Sequence, residues 1–232
     1  MCRSIEKQVE KGMQQQLQQW REALESGSQR IGWKVGFNRA SDQQTAGLAS
    51  PQIGYLLQER CHPQHGNHHS IDGDTLLVEG EIAIQLKYAI TTESTPAESE
   101  AAIGGYATAL ELVNSAKAQG SGITALLASN LIHEAVVLGQ QKIETLELNA
   151  LSATLTLNGE VVRTLDTSRV PTTFIPLLGQ IANTLASHGE QLQAGDWIIT
   201  GAATTPIAVK QGDHIQFKLG ALDEVSLTIN HD

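Results

Sequence analysis

Apolar residues near the start of the chain recur every three or four positions. Ile5, Val9, Met13, Leu17, Trp20 and Leu24 predict an amphipathic helix over residues 5–25, with Gly27 placed to end it. The segment "IGWKVG" (31–36) reads as a short strand bounded by glycines. The next stretch, "FNRASDQQTAGLASPQIG" (37–54), keeps no period and is rich in small polar residues, which predicts a mobile loop or short helix able to cover a site. Residues 61–74, "CHPQHGNHHSIDGD", read as a polar loop leading into the strand "LLVEGEIAIQLKYAI" (76–90). Thr95-Pro96-Ala97-Glu98 has capping-box spacing with proline at the first helical position, so a short helix should begin there. "YATALELVNS" (106–115) reads as a second buried strand, and "ATLTLNGEVVRTL" (153–165) as a hairpin turning at Asn158-Gly159. Phe174, Leu177, Leu178, Ile181 and Leu185 mark a helix closed by Gly189. "DWIITGAAT" and "DHIQFKLGALDEVSLTIN" add strands near the end. With no repeat, low-complexity tract or linker, the pattern predicts one α+β domain over residues 1–232, with strands dominating its centre and C-terminal half.

Composition narrows this picture. The chain has 232 residues, enough for one sizeable core, and 41% hydrophobic residues, too many for disorder. No apolar run is long enough to span a bilayer, the N-terminus lacks the apolar core of a secretory signal, and Cys2 and Cys61 make no disulfide framework. Together these predict a cytoplasmic protein with no membrane partner. A net charge of −10 disfavours nucleic acid, which is bound through clustered Lys and Arg. An anionic small molecule remains compatible, since it needs only a local positive charge.

The candidate chemistry starts with Glu79 and Glu81 inside the apolar strand. Residues i and i+2 share a strand face, so these acids project together, roughly 7 Å apart by strand rise. Two half-buried anions repel and lose hydration, and a hard divalent cation such as Mg2+ or Mn2+ compensates directly. Glu111, on the other buried strand, can supply a third ligand. The competing reading is a solvated polar face opposite Val78, Ile82 and Ile84. Lys34, between two glycines, can approach a small ligand and stabilise a developing oxyanion, or it can be an edge lysine reaching for water. Cys61, His62, His65, His68 and His69 crowd one loop and suit a transition metal, although no second ligand pair stands at zinc-finger spacing. His133-Glu134 offers a general acid/base, or simply the edge of the apolar strand "AVVLG".

Taken in order, "GWKVGF", "VEGEIA", "ALELVNS", "SNLIHEAVVLG" and the C-terminal run "LQAGDWIITGAATTPIAVKQGDHIQFKLGALDEVSLTI" resemble the fumarylacetoacetate hydrolase superfamily. Within it they resemble the branch of 2-keto-4-pentenoate hydratases and 4-oxalocrotonate decarboxylases. The resemblance implies a mixed β-roll or sandwich with peripheral helices, usually a homo-oligomer. It implies Glu79, Glu81 and Glu111 as ligands of Mg2+ or Mn2+, with Lys34 beside the bound acid; Lys34, His133 and Glu134 are the catalytic candidates. Trp33, Phe37, Gln52, Thr200 and Gly201 would contact a small 2-oxo acid, with 37–54 as covering loop. The implied activity is a hydratase-like lyase; decarboxylation, acylpyruvate hydrolysis or a non-catalytic binding role are the alternatives. Three positions depart from the family pattern: Gln52 replaces a carboxylate, Asn114 an aspartate and Ala202 a serine.

Overall fold

A computed structural model describes residues 2–71, 74–118, 120–140 and 142–231, with side chains from 5 to 230. Two sheets form its body. The first is mixed and eight-stranded, in the order Gln52–Leu57, Arg30–Gly36, Trp197–Ala202, Leu76–Leu86, Ile103–Asn114, His133–Leu138 and Cys61–His62, with Ile207–Val209 paired beside the Leu76–Leu86 strand. The second has five strands: His65–Ser70, Glu224–His231, His214–Leu219, Ala153–Leu157 and Glu160–Thr164. The expected mixed sandwich with peripheral helices is therefore what the chain forms.

The two sheets meet where the acidic strand is smallest. A Cβ at Gly80 would lie 2.3 Å from the ring of Phe217, which is fully buried. Glu79 and Glu81 point to one face of the strand, and the glycine between them leaves room for Phe217 on the other. Covering an aromatic ring of this kind is worth about 1.5–3 kcal/mol, so Glu-Gly-Glu serves packing on one side and charge on the other.

The long first helix, Cys2–Glu25, lays Met13, Leu17 and Trp20 on the core, as its spacing predicts. Trp20 meets Trp33 with ring centroids 5.1 Å apart. Thr95 and Glu98 form the expected capping box, and the second long helix runs Ile175–Ser187. Two expectations need correction. The 61–74 segment is not a free loop: His65–Ser70 is a strand pairing in parallel with Glu224–His231. Its inward residues are Gly66, His68 and Ser70, so burial alternates while hydrophobicity does not, and the period is invisible in the sequence. The 37–54 segment carries a helix at Ala40–Ala46, but residues 52–54 already belong to the Gln52–Leu57 strand.

Candidate metal centre

The antiparallel register sets Glu79 directly opposite Glu111, and Glu81 follows two residues on, opposite Ala202 of the Trp197–Ala202 strand. Oxygens of Glu79, Glu81 and Glu111 lie within 4.8 Å of one another, and among the described residues this is the one group of three or more such side chains close enough to share an ion. Like charges facing each other across strands are unfavourable, so the surroundings must compensate. Part of that comes from a bulge: the register slips between Ile199 and Ala202, and the Gly201 N–H donates to Glu81 Oε2 at 2.7 Å. Gly201 has φ +95°, and a Cβ there would lie 2.6 Å from the Asn38 side chain, so glycine is required twice over.

Lys34 and His133 supply the rest, both through Glu111. The Lys34 ammonium ion-pairs with Glu111 Oε1 and donates to the Leu131 carbonyl at 3.3 Å. That carbonyl is aimed by an unusual turn in which Asn130, Leu131 and Ile132 all have φ between +52° and +57°. Left-handed backbone costs such residues about 1–2 kcal/mol each. The Asn130 side chain helps hold the turn by accepting from Tyr55 N–H at 2.8 Å and donating to its carbonyl at 2.9 Å. His133 Nδ1 lies 2.7 Å from Glu111 Oε1. A carboxylate acceptor makes Nδ1 the protonated nitrogen and leaves Nε2, buried and among the described residues without a hydrogen-bond partner, as the bare one.

These contacts divide the three acids. Burial would raise the Glu111 pKa, but Lys34 and His133 outweigh it and hold the group below its ordinary value. Glu79 is pushed up to about 7 by burial and by Glu111, with Lys34 and Arg169 opposing. Glu81 is raised for the same two reasons and by Glu79 as well. Among the described residues, buried Glu81 Oε1 has no hydrogen-bond partner. An orphaned carboxylate oxygen, beside two more carboxylates and only one lysine, fits a hard divalent cation. The donor set therefore suits a resident metal of the oxygen-loving kind.

Glu79, Glu111 and Lys34 open on a cavity of about 230 Å³, walled also by Phe37, Asn38, Leu131, Ile132, Arg169 and Ala202. Glu81 lies beneath it, fully buried. Of the expected substrate contacts, Phe37 lines this space, whereas Gly201 acts through Glu81. Thr200 walls a neighbouring outer cleft of about 600 Å³, and its hydroxyl donates to the Ile82 carbonyl. Trp33 is not cavity wall: it is wholly buried against Trp20 on the opposite face from Lys34. Gln52 is buried with its amide donating to the Ser50 carbonyl at 2.9 Å.

Glu134 does not join His133. Adjacent strand residues point apart, and Glu134 pairs with Arg60 at 3.0 Å and Lys117 at 2.9 Å. Asn114 belongs to that second network, donating to Asp74 at 2.7 Å and accepting from the Thr75 and Ala116 N–H groups. This departure from the family pattern therefore reads as a strand-end cap. Within the histidine segment, His62 Nε2 lies 3.2 Å from His68 Nδ1, while His65 bonds Ser226. Asn38, Asn130 and Arg169 escaped sequence reasoning. Arg169 sits in "DTSRVPTTF", which has no strand or helix period to single it out.

The family described as fumarylacetoacetate (FAA) hydrolase C-terminal matches residues 33–230. A 4-oxalocrotonate decarboxylase from Pseudomonas putida is 26% identical over 218 residues, covering 90% of this chain and 81% of its own length. A 2-keto-4-pentenoate hydratase from Paraburkholderia xenovorans is 28% identical over 206 residues, covering 86% and 76% respectively. The solved structure of a 4-oxalocrotonate decarboxylase from Pseudomonas putida, complexed with magnesium and adipate, superimposes with a TM-score of 0.83 at 24% identity, over 92% of this chain and 83% of that one.

Proposed function

The chain belongs to the fumarylacetoacetate hydrolase family, and from that premise we propose that it is a divalent-metal-dependent lyase, a hydratase acting on a small 2-hydroxy-dienoate or 2-oxo acid in aromatic catabolism. The observation that carries this reading is the convergence of Glu79, Glu81 and Glu111 at the wall of a cavity that also holds the Lys34 ammonium. Glu79, Glu81 and Glu111 would hold the ion, Mg2+ or Mn2+ by the hardness of the donors. When bound, the ion would supply Lewis-acid polarisation of the substrate's carboxylate and 2-oxygen.

The remaining roles fall to the chain's own groups. Two of the three Lys34 N–H donors are engaged by Glu111 and Leu131, which fixes the ammonium and leaves one for the substrate oxygen that gains charge. His133 orients Glu111 from behind. Phe37, Leu131 and Ile132 give the carbon chain an apolar wall and exclude water. Gln52, an amide facing the Ser50 carbonyl, has no carboxylate to offer as a base, so the proton or water at the distal carbon would be handled elsewhere.

Decarboxylation is the second reading, favoured by the decarboxylase among the relatives; it uses the same electron sink. A metal-supplemented screen on 2-hydroxypenta-2,4-dienoate, 4-oxalocrotonate and acylpyruvates, with product identification, separates the outcomes. Hydration of the dienoate supports the proposal, CO2 release from 4-oxalocrotonate supports the second reading, and no turnover of any substrate leaves a binding protein. The proposal extends to a cytoplasmic homo-oligomer: Cys61 is a free thiol, and among the described residues no helix is long and apolar enough to cross a membrane. Light scattering of the purified protein tests the assembly.

A further inference from the structure

A water that adds to a carbon attacks through its lone pair, so its hydrogens must point at acceptors. Few side chains in the wall of the inner cavity can take them. Lys34 and Arg169 only donate. Glu79 and Glu111 are assigned to the ion, and Asp42 has one oxygen held by Arg39 Nε at 2.8 Å and the other by Arg39 Nη2 at 2.6 Å. The remaining polar side chain of that wall is Asn38. Gln52, at the position of the family's carboxylate, lines neither the cavity nor the cleft beside it.

Asn38 is held in place on several sides. Phe37 before it has φ +55°, and the Phe37 carbonyl accepts from the Gln43 amide at 2.8 Å. The Asn38 amino group donates to the Thr200 carbonyl at 3.3 Å and to the Arg169 carbonyl at 3.4 Å. Those two acceptors fix which end of the amide is which, because reversing it would set Oδ1 against two oxygens. The side chain also packs on Gly201, where a Cβ would lie 2.6 Å from Asn38 Cγ. Among the described residues Asn38 Oδ1 has no hydrogen-bond partner, and unlike Glu81 Oε1 it is not sealed from solvent. Asn38 lines both the inner cavity and the outer cleft, so this acceptor stands at their junction.

We infer that Asn38 places the attacking water, its Oδ1 accepting one hydrogen of a water held over the distal carbon of the substrate. The acid would be the 2-oxo-3-enoate tautomer of the dienoate, with its 2-oxo end at Glu79, Glu81 and Glu111 and its chain running outward along Phe37, Leu131 and Ile132. The water oxygen bonds to the distal carbon, the π pair of the conjugated double bond moves toward the 2-oxygen, and the water's proton ends on the carbon between. The amide accepts a hydrogen bond and never the proton, so Asn38 is a positioning residue. This deepens the proposed hydratase reading, on which it rests.

The test compares two reactions of the Mg2+- or Mn2+-loaded protein: hydration of 2-hydroxypenta-2,4-dienoate, and solvent deuterium exchange at carbon 3 of 2-oxopentanoate. Exchange uses the ion and Lys34 but adds no water. Asn38→Val and Asn38→Thr have nearly the same shape, and of the two only threonine can accept the hydrogen bond. Asn38→Val should lower the hydration kcat about 100-fold, the scale of a misplaced reactant, with exchange within a few-fold of the wild type. Asn38→Thr should recover hydration several-fold over Asn38→Val at equal exchange. Undiminished hydration in Asn38→Val, or equal hydration in the two variants, overturns the assignment. Loss of exchange along with hydration in both variants also overturns it, because Asn38 would then act on the carboxylate cluster through Gly201. A wild type that does not hydrate the dienoate would instead defeat the proposed function, and this inference with it.

Discussion

His133 and Glu134 are neighbours in one strand, yet they open onto two acid networks of opposite character. On the His133 side, Glu79, Glu81 and Glu111 share one lysine, two of the three acids are pushed above their ordinary pKa, and a buried carboxylate oxygen has no hydrogen-bond partner among the described residues. On the Glu134 side, the Glu134 carboxylate is met by Arg60, Lys117 and Asn114, and its pKa lies below the ordinary value because those partners outweigh its burial. One network is short of positive charge and the other is compensated within the chain. Burial of acids is common to both; the unmet charge is what points to a ligand, since a buried carboxylate left uncompensated is costly.

The sharpest test of this contrast removes its one buried cation. Lys34→Met should lower kcat on the order of 100- to 1,000-fold, the cost of one preorganised charge-stabilising donor, while metal affinity stays nearly unchanged. Single-turnover kinetics together with metal titration check both halves. If kcat held and only substrate affinity fell, Lys34 would be a ground-state anchor.

Next in size is the response to metal. At an ion concentration of about 100 times Kd, Mg2+ or Mn2+ should stabilise the wild type by about 2.7 kcal/mol. Glu81→Gln should abolish most of that shift and Glu134→Gln none of it, as read by thermal unfolding with and without the ion. Loss of the shift on changing His62 and His68 would move the cation to the histidine segment.

The two networks should also respond to pH with opposite sign. Glu79 titrates at about 7 in the fold against an ordinary 4.5, so the metal-free folded state binds the extra proton in that window and stability falls as pH rises through it. Glu79→Gln should remove this fall and stabilise the metal-free protein at pH 8 by up to about 3 kcal/mol. The Glu134 contribution is present above the ordinary carboxylate value and is lost as pH falls through its lowered one. Unfolding curves on the metal-free variants at several pH values separate the two slopes. The smallest effect is expected for Glu134→Gln at neutral pH, within about 1 kcal/mol, because Arg60 is half exposed and such pairs contribute little.

Much of the architecture was legible in the chain itself. Helical spacing from Ile5 to Leu24, the Thr95–Glu98 capping box and the alternation around Asn158-Gly159 are local signals, and each element formed where it pointed. Two acids at i and i+2 in an apolar strand announced a shared face by the same local rule. The His65–Ser70 strand gave no such signal, because backbone pairing with Glu224–His231 holds it while its inward residues are glycine, histidine and serine.

The sequence by itself determined the helices, the hairpin and which strand carries the acids, because periodicity and capping act over a few neighbouring residues. Tertiary structure alone decided that Glu111 stands opposite Glu79, that Gly201 reaches Glu81 from a bulge, and that Trp33 turns into the core while Lys34 faces the cavity. It also decided that Glu134 is spent on Arg60 and Lys117, and that Arg169 stands in the cavity wall with its Nε donating to Asp166. Those outcomes depend on register and on charges far apart in the chain, and their energies exist only once folding removes water and brings the charges together.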